Sequence, residues 1–274
     1  MAVVRPYDGV AAAWDTTAGL VYQPLAASLV QASPVALAGK LVLDLGSGTG
    51  AVARAATDRG ACVVVADCSV GMVVHGYGHG RMAIVADALA VPVRDRCFDV
   101  VMAGFLLNHL HPTSALGEME RIVRSGGAVV ASTWSSVRSD PVKTAVSAVL
   151  RSWGWLPPAW YETMKAEVEP ISSAPRRLSH VARQVGLVDV RATVVEVDVG
   201  ALDPGVVVAY RLAMPQIAPW VAGLCEPATS RLIRQLCTAV SPHLGGWRPS
   251  VIHLTARVPA HPNARVAARS SDSA

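Results

Sequence analysis

The chain has 274 residues, of which 52% are hydrophobic and 16% charged, with a formal net charge of +4. This composition excludes general disorder, and the length is sufficient to bury a deep core without disulfide bonds. The charge is not clustered: residues 1–136 have a net charge of −1 and residues 137–274 of +5, without runs of like charge. A nucleic-acid-binding groove is therefore not expected.

The basic residues comprise 21 Arg and three Lys. Codon usage of a high-G+C bacterial genome explains this bias, and an arginine-built anion surface is the alternative. Five cysteines without a C-x-x-C pair favour a reducing compartment, and no metal-ligand spacing occurs. Residues 16–39 are uncharged but too polar and Pro-broken for a membrane helix, and residues 1–10 do not resemble a signal peptide. We expect a cytoplasmic protein with no membrane partner and no bound metal.

Short apolar, β-branched segments alternate with helix-length segments from residue 41 onward. Strands are predicted at residues 41–45, 62–66, 82–86, 98–103 and 128–133, and helices at 51–59 and 112–124. Gly60 and Gly126 follow these helices, and Pro112 opens the second. The order predicts a doubly wound, Rossmann-like α/β domain.

The pattern changes after Trp134. A helix and an irregular, aromatic-rich cover are predicted within residues 139–164, followed by a helix at 174–185 and helical segments over 203–240. Residues 188–199 alternate between apolar and polar side chains, which predicts a long strand. At Val194-Val195 two apolar residues are adjacent and the alternation shifts by one residue, which predicts a bulge there. A seventh strand is expected at 251–258. We divide the chain into an N-terminal helical cover (1–39), a ligand-binding core (40–136), remaining strands with helical and aromatic cover insertions (137–258) and a disordered tail (259–274).

The strongest local signal is a glycine-rich turn at residues 46–50, GSGTG, between the first strand and the first helix of the core. Glycines at alternate positions let backbone N–H groups approach a ligand, and the helix N-terminus favours an anionic group. The turn also satisfies the dinucleotide pattern, with Asp67 available for a ribose in either case.

Two further carboxylates separate these interpretations. Asp44 precedes the turn, where it would repel a pyrophosphate but attract the ammonium of a bound amino acid. Asp87-Ala88, after the third strand, offers a carboxylate for an exocyclic amine and a backbone N–H for a ring nitrogen. Asp44, Asp67 and Asp87 thus end three successive strands at the ligand-binding edge of the sheet.

At these residues the sequence resembles class I S-adenosylmethionine-dependent methyltransferases, especially the branch of quinone-biosynthesis and small-molecule natural-product enzymes. The matching segments are LVLDLGSGTG (41–50), VVVADCSVGM (63–72), AIVADALAVPVRDRCFDVVMA (83–103) and EMERIVRSGGAVVAS (118–132). Ser125 stands where the family usually has Pro. The resemblance implies a seven-stranded, mostly parallel sheet with the last strand antiparallel, and S-adenosyl-L-methionine as cofactor.

The resemblance also implies residue roles. Gly46, Ser47 and Gly48 would line the methionine moiety, with backbone donors near its carboxylate and Asp44 near its amino group. Asp67 would accept both ribose hydroxyls. The adenine would contact the acidic Asp87, the N–H of Ala88, and the side chains of Met72 and Cys68, for which ordinary core packing is the alternative. Phe105 would lie near the cofactor.

Candidate acceptor-site residues follow the fourth strand and fill the predicted cover. His109 is the best candidate for a general base, whereas His111 suits a helix cap and His253 a structural role. Tyr22, with Tyr7 and Trp14, would cover the methionine end of the site. Trp153, Trp160 and Tyr161, beside Trp155, would form a wall for a flat or apolar acceptor, with a packed lid as the alternative.

The sequence therefore predicts methyl transfer to a small organic acceptor, such as a secondary metabolite, at O, N or C. The expected partner is that small molecule, with a homodimer left open. Two alternatives remain: a non-methylating cyclase or binding module that retains the cofactor, and a nicotinamide-dependent oxidoreductase.

Overall fold

The computed structural model describes residue 7 and residues 11–76 and 82–260. Most of the predicted tail, residues 261–274, lies outside this range. The helices are α1 (Ala11–Gln31), α2 (Ala51–Thr57), α3 (Val70–Gly76), a 3₁₀ turn (Leu106–Asn108), α4 (Pro112–Ile122), α5 (Pro141–Ser152), α6 (Ala159–Glu167), α7 (Glu169–Ser172), α8 (Pro175–Gln184), α9 (Pro204–Leu212), α10 (Ala218–Ala222) and α11 (Glu226–Leu244).

The strands are β1 (Leu41–Leu45), β2 (Cys62–Asp67), β3 (Met82–Val85), β4 (Phe98–Gly104), β5 (Val123–Trp134), β6 (Val188–Glu196) and β7 (Ser250–Arg257). They form one sheet in the order β3-β2-β1-β4-β5-β7-β6. The first five strands are parallel, and β7 runs antiparallel to both β5 and β6. The predicted fold class, a Rossmann-like α/β sheet with a reversed last strand and helical insertions, is confirmed.

The two faces of the central strands bury different clusters because successive side chains point to opposite faces. Val42, Val100 and Val130 pack against α1 and α2, whereas Leu43, Val101 and Val129 pack against α4 and α8. A third cluster joins α1 to α5, α9 and α11. With both faces covered, the carboxyl ends of β1 and β4, between which the strand order reverses, form the crevice where such folds bind ligands.

The irregularity of β6 lies elsewhere than predicted. The register shifts between Val188 and Arg191, where Asp189 has a φ of 52°, and pairing is regular through Val194-Val195. The slip in alternation instead occurs where the helices that cover the strand change. Val194 packs against the cluster that contains α8, and Val195 packs against the cluster that contains α9 and α11. The bulge prediction at 194–195 is therefore wrong, because a change of neighbouring helices produces the same pattern.

Candidate active site

The glycine-rich turn after β1 is held by hydrogen bonds to β2. Gly46 and Ser47 donate their N–H groups to the carbonyl of Ala66, at 2.8 and 3.0 Å, and Gly48 donates to Asp67 Oδ2 at 2.9 Å. Gly46 and Gly48 have φ values of 68° and 52°, and a Cβ on Gly46 would lie 2.8 Å from Leu106. The N–H groups of Gly46, Ser47 and Gly48 thus bond within the protein, and the predicted contact of backbone donors with a methionine carboxylate stays a prediction.

Asp44 is the most deeply buried acid of the site, with 1% of its surface exposed. Its Oδ2 accepts from Ala53 N–H at 2.9 Å, and its Oδ1 has no partner among the described residues. Burial, together with the nearby charge of Asp67, raises the pKa of Asp44 to about 7. A cationic group that reached Oδ1 would satisfy this orphaned atom.

Asp67 and Asp87 follow at the ends of the next two strands. Asp67 Oδ1 accepts from Ser69 N–H at 2.9 Å, and burial raises the pKa of this carboxyl despite hydrogen bonds from Ser69, Gly48 and Cys68. Asp87 Oδ1 accepts from Leu89 N–H at 2.9 Å. Because each carboxylate oxygen has more than one acceptor position, both side chains retain capacity for a ligand.

These carboxylates open into one cavity of about 660 Å³, which lies in the range of about 300–1,000 Å³ of small-molecule sites. The cavity brings together thirteen of the fifteen site residues predicted from the sequence: Asp44, Gly46, Ser47, Gly48, Asp67, Cys68, Met72, Asp87, Ala88, Phe105, Tyr22, His109 and Trp160. Trp14, Ser132 and Glu167 also line it.

The other two predicted residues, Trp153 and Tyr161, do not line the cavity. Trp153 donates its Nε1–H to Gln235 at 2.5 Å and lies under the Arg231 guanidinium, 5.1 Å from the ring centroid. Tyr161 packs edge-on against Trp160, with centroids 5.8 Å apart. Of the predicted wall, only Trp160 lines the cavity, because Trp153 lies at the C-terminus of α5 and Tyr161, the next residue after Trp160 on α6, points to a different side of that helix.

An aromatic cluster around Tyr22, of which Tyr22, Trp14 and Phe105 line the cavity, is built from distant parts of the chain. Tyr22 lies within 6.2 Å, between centroids, of each ring in a set that spans α1, β5 and α9: Trp14, Phe105, Trp134 and Tyr210. Phe105 stacks on Trp134 at 4.4 Å and holds a φ of 63°, a left-handed conformation rare for an aromatic residue. Trp134 and Tyr210 do not line the cavity but pack behind the rings that do, and sequence reasoning gave neither of them this supporting role.

His109 follows the 3₁₀ turn and faces the cavity. Its Nε2 lies 3.2 Å from the hydroxyl of Tyr7, and the two rings are edge to face at 5.5 Å. The protein around the cavity partly desolvates His109 and lowers its pKa to about 4, although the residue remains accessible to solvent, so the ring is neutral near pH 7. His111 also lines the cavity, at the N-cap of α4, whereas His253 is buried within β7.

Within residues 7, 11–76 and 82–260, no group of three His, Cys, Asp or Glu side chains could hold a metal ion. No helix in the same part of the chain is long and apolar enough to cross a membrane.

Comparison with known proteins places this site in a family. The model of a methyltransferase domain family matches residues 43–131. The demethylmenaquinone methyltransferase of Thermobifida fusca is 36% identical over 115 residues, 39% of this chain and 49% of the relative. That of Streptomyces griseus is 32% identical over 158 residues, 54% of this chain and 67% of the relative. The chain thus spans about half to two thirds of the length of these curated relatives.

A structural comparison agrees on the fold. Phosphoethanolamine N-methyltransferase 2 of Haemonchus contortus, solved with phosphomonomethylethanolamine and S-adenosylhomocysteine, superposes with a TM-score of 0.56 at 14% identity. The match covers 91% of this chain and 57% of that protein. At this identity the likeness shows the shared fold alone.

Two features of the cavity suit the cofactor of this family: unpaired buried polar atoms and a close approach of the backbone. Two buried side-chain atoms that line it, Asp44 Oδ1 and Ser47 Oγ, have no partner among the described residues. The tight turn at Gly46 and Gly48 brings the backbone close to the same space. The chain belongs to the class I S-adenosylmethionine-dependent methyltransferases, enzymes whose cofactor is S-adenosyl-L-methionine.

Proposed function

We propose that the protein transfers a methyl group from S-adenosylmethionine to a small organic acceptor by direct displacement. One observation carries the proposal: a single cavity is lined by the three strand-end carboxylates and also by His109, the aromatic rings and one face of α6. The cavity therefore offers distinct surfaces for a cofactor and an acceptor. Holding two reactants in contact supplies much of the rate enhancement in such a displacement.

The cofactor-binding roles follow from the family pattern and from the chemistry of the donors. Asp44 would bind the amino group through its unpaired Oδ1, and Asp67 would accept from the ribose hydroxyls. Asp87 would accept from the adenine amino group and Ala88 N–H would donate to the ring. When bound, S-adenosylmethionine supplies an electrophilic methyl group, which the acceptor's lone pair takes while the sulfur keeps the electrons of the breaking C–S bond.

His109 would take the proton that the acceptor loses. The ring is neutral near pH 7, so one ring nitrogen has a lone pair free for a proton, and it faces the same cavity as the carboxylates. The Tyr7 hydroxyl lies 3.2 Å from Nε2 of His109. The acceptor would therefore either displace this hydroxyl or transfer its proton to His109 through the hydroxyl.

The acceptor class is supported by the relatives and by the walls of the site. The relatives from Thermobifida and Streptomyces are named for a quinone precursor, and an aromatic wall suits a flat, largely apolar molecule. We therefore propose a small metabolite of a bacterial cell, with the reaction in the cytoplasm.

Two measurements test this function. Isothermal titration with S-adenosylhomocysteine should show binding that Asp67→Ala weakens and Asp58→Ala, an exposed carboxylate outside the cavity, leaves unchanged. Transfer of labelled methyl to a metabolite panel then tests catalysis. Binding of NAD in place of S-adenosylhomocysteine would refute the proposal, and cofactor binding without transfer to the true acceptor would favour the non-methylating alternative.

A further inference from the structure

One face of α6 forms a wall of the cavity. Trp160, Thr163, Met164 and Glu167 line it, and their spacing of three and four residues places them on the same side of the helix. No residue of α6 is buried, so this helix is not held by a core stripe of its own. The face that α6 turns to the cavity is therefore available for a ligand.

The charge of the cavity is one-sided. Its described lining contains four carboxylates, Asp44, Asp67, Asp87 and Glu167, and neither Lys nor Arg. Bound S-adenosylmethionine carries one net positive charge, so the cavity stays negative with the cofactor in place. The net charge of +5 in residues 137–274 does not offset this, because none of the described basic residues of that half lines the cavity.

Glu167 is the carboxylate that the cofactor does not require. It lies in the last turn of α6, where the helix dipole disfavours an anion. It forms no salt bridge with another described residue, although Lys165 and Lys143 both lie beside Glu169. Glu167 is exposed to solvent, so its carboxylate is free to bind a cationic or N–H-bearing group that enters the cavity.

Besides Asp44 Oδ1 and Ser47 Oγ, a further buried polar atom of the cavity lining is unpaired. The Ser132 hydroxyl, in a residue that is 1% exposed, has no hydrogen-bond partner among the described residues. The proposed cofactor contacts do not use it. A buried polar atom without a partner is costly unless a ligand or water completes it.

We propose that the acceptor is an amine with a flat apolar body, and that Glu167 binds its protonated or N–H-bearing nitrogen while Trp160 and Met164 contact the body. The inference rests on the proposed methyltransferase function and adds the class of acceptor. Trp160 and Glu167 are seven residues apart, which separates the two contacts by roughly 10 Å along the helix. The proposal concerns recognition of this nitrogen, whichever atom receives the methyl group.

Three probes of similar shape and different charge test this proposal: tryptamine, tryptophol and indole-3-acetate. Calorimetric titration into protein saturated with S-adenosylhomocysteine should show tryptamine binding about tenfold more tightly than tryptophol, with indole-3-acetate weakest. Glu167→Gln should abolish the preference for the amine, and Glu167→Lys should shift it toward indole-3-acetate. Glu162→Gln, at the first turn of the same helix and outside the cavity lining, should change nothing.

The affinity for S-adenosylhomocysteine, measured first in each variant, reports the methyltransferase function separately. Wild-type protein that binds this cofactor product but prefers the alcohol or the acid, or binds none of the three probes, overturns the amine proposal. An unchanged amine preference in Glu167→Gln overturns it equally.

Discussion

Asp44→Asn should separate the stability of this protein from its affinity for cofactor. The carboxyl group lies at the end of β1 with 1% exposure, and its one hydrogen bond comes from Ala53 N–H. An amide oxygen can accept the same bond, so the substitution removes the charge and preserves the shape. The two consequences should have opposite signs.

The stability effect follows from the pKa of Asp44. Raising it from 3.8 to about 7 corresponds to a charging cost of about 4 kcal/mol. Because the folded-state pKa is raised, the stabilisation from the neutral form is complete below pH 3.8 and is lost as the pH rises through 7. The amide never charges, so Asp44→Asn should be more stable than wild type at pH 8, by up to about 4 kcal/mol, with the difference shrinking toward pH 4.

The cofactor effect runs the other way. Loss of a charge-assisted hydrogen bond to the ammonium should weaken binding of S-adenosylhomocysteine by about 10- to 100-fold at pH 8. Below pH 7 the wild-type affinity should fall by about tenfold per pH unit, because protonation of Asp44 must be reversed on binding. Asp67, whose pKa burial also raises, contributes a pH dependence that persists in the variant.

Urea unfolding and isothermal titration between pH 5.5 and 8.5 give both quantities, with Asp58→Asn, an exposed carboxylate, as the matched control. The reasoning is refuted if Asp44→Asn is no more stable than wild type at pH 8. It is equally refuted if the variant binds S-adenosylhomocysteine as tightly as wild type with the same pH profile.

Three further predictions concern other parts of the protein. His109→Gln should slow methyl transfer by about 10²- to 10⁴-fold at saturating substrate while leaving the affinity for S-adenosylhomocysteine unchanged, as measured by turnover and titration. Glu118→Gln should destabilise the fold by about 1–3 kcal/mol in urea unfolding, because this carboxylate accepts two bonds from Arg121 and one from Val91 N–H. Trp160→Ala should raise the KM for the acceptor, whereas Trp153→Ala should leave it unchanged, in steady-state assays.

Each of these outcomes has a clear opposite. Equal turnover in His109→Gln would remove this residue as the base. A Glu118→Gln protein that unfolds at the wild-type urea concentration would contradict the network. A larger acceptor effect from Trp153 than from Trp160 would contradict the cavity lining.

The nature and order of the central elements could be predicted from the sequence because each depends on short-range pattern. Alternating apolar strands and capped helices fix a doubly wound sheet, and parallel strands bring their carboxyl ends to one edge. The positions of Asp44, Asp67 and Asp87 on that edge therefore follow from local sequence alone. Helix α3, between Val70 and Gly76, gave no comparable signal, because it is too short to show a period.

The acceptor side could be predicted only in part. The concentration of aromatics at 153–161 suggested one wall, yet of the three residues named there only Trp160 reaches the cavity. The rings that gather around Tyr22 come instead from α1, β5, α9 and Phe105, which follows β4, and no spacing in the sequence relates Trp134 to Tyr210. Likewise, the phase slip at Val194-Val195 could not reveal that different helices cover the two halves of β6.

The sequence by itself thus determined the sheet, the cofactor edge and the family, because these depend on periodicity and on residues adjacent in the chain. Only the tertiary structure decided which side chains share the cavity, that Gly46, Ser47 and Gly48 use their N–H groups within the protein, and that Glu167 lines the cavity without a salt bridge to another described residue. These features arise from contacts between residues distant in sequence, where side-chain direction and packing, not local pattern, set the result.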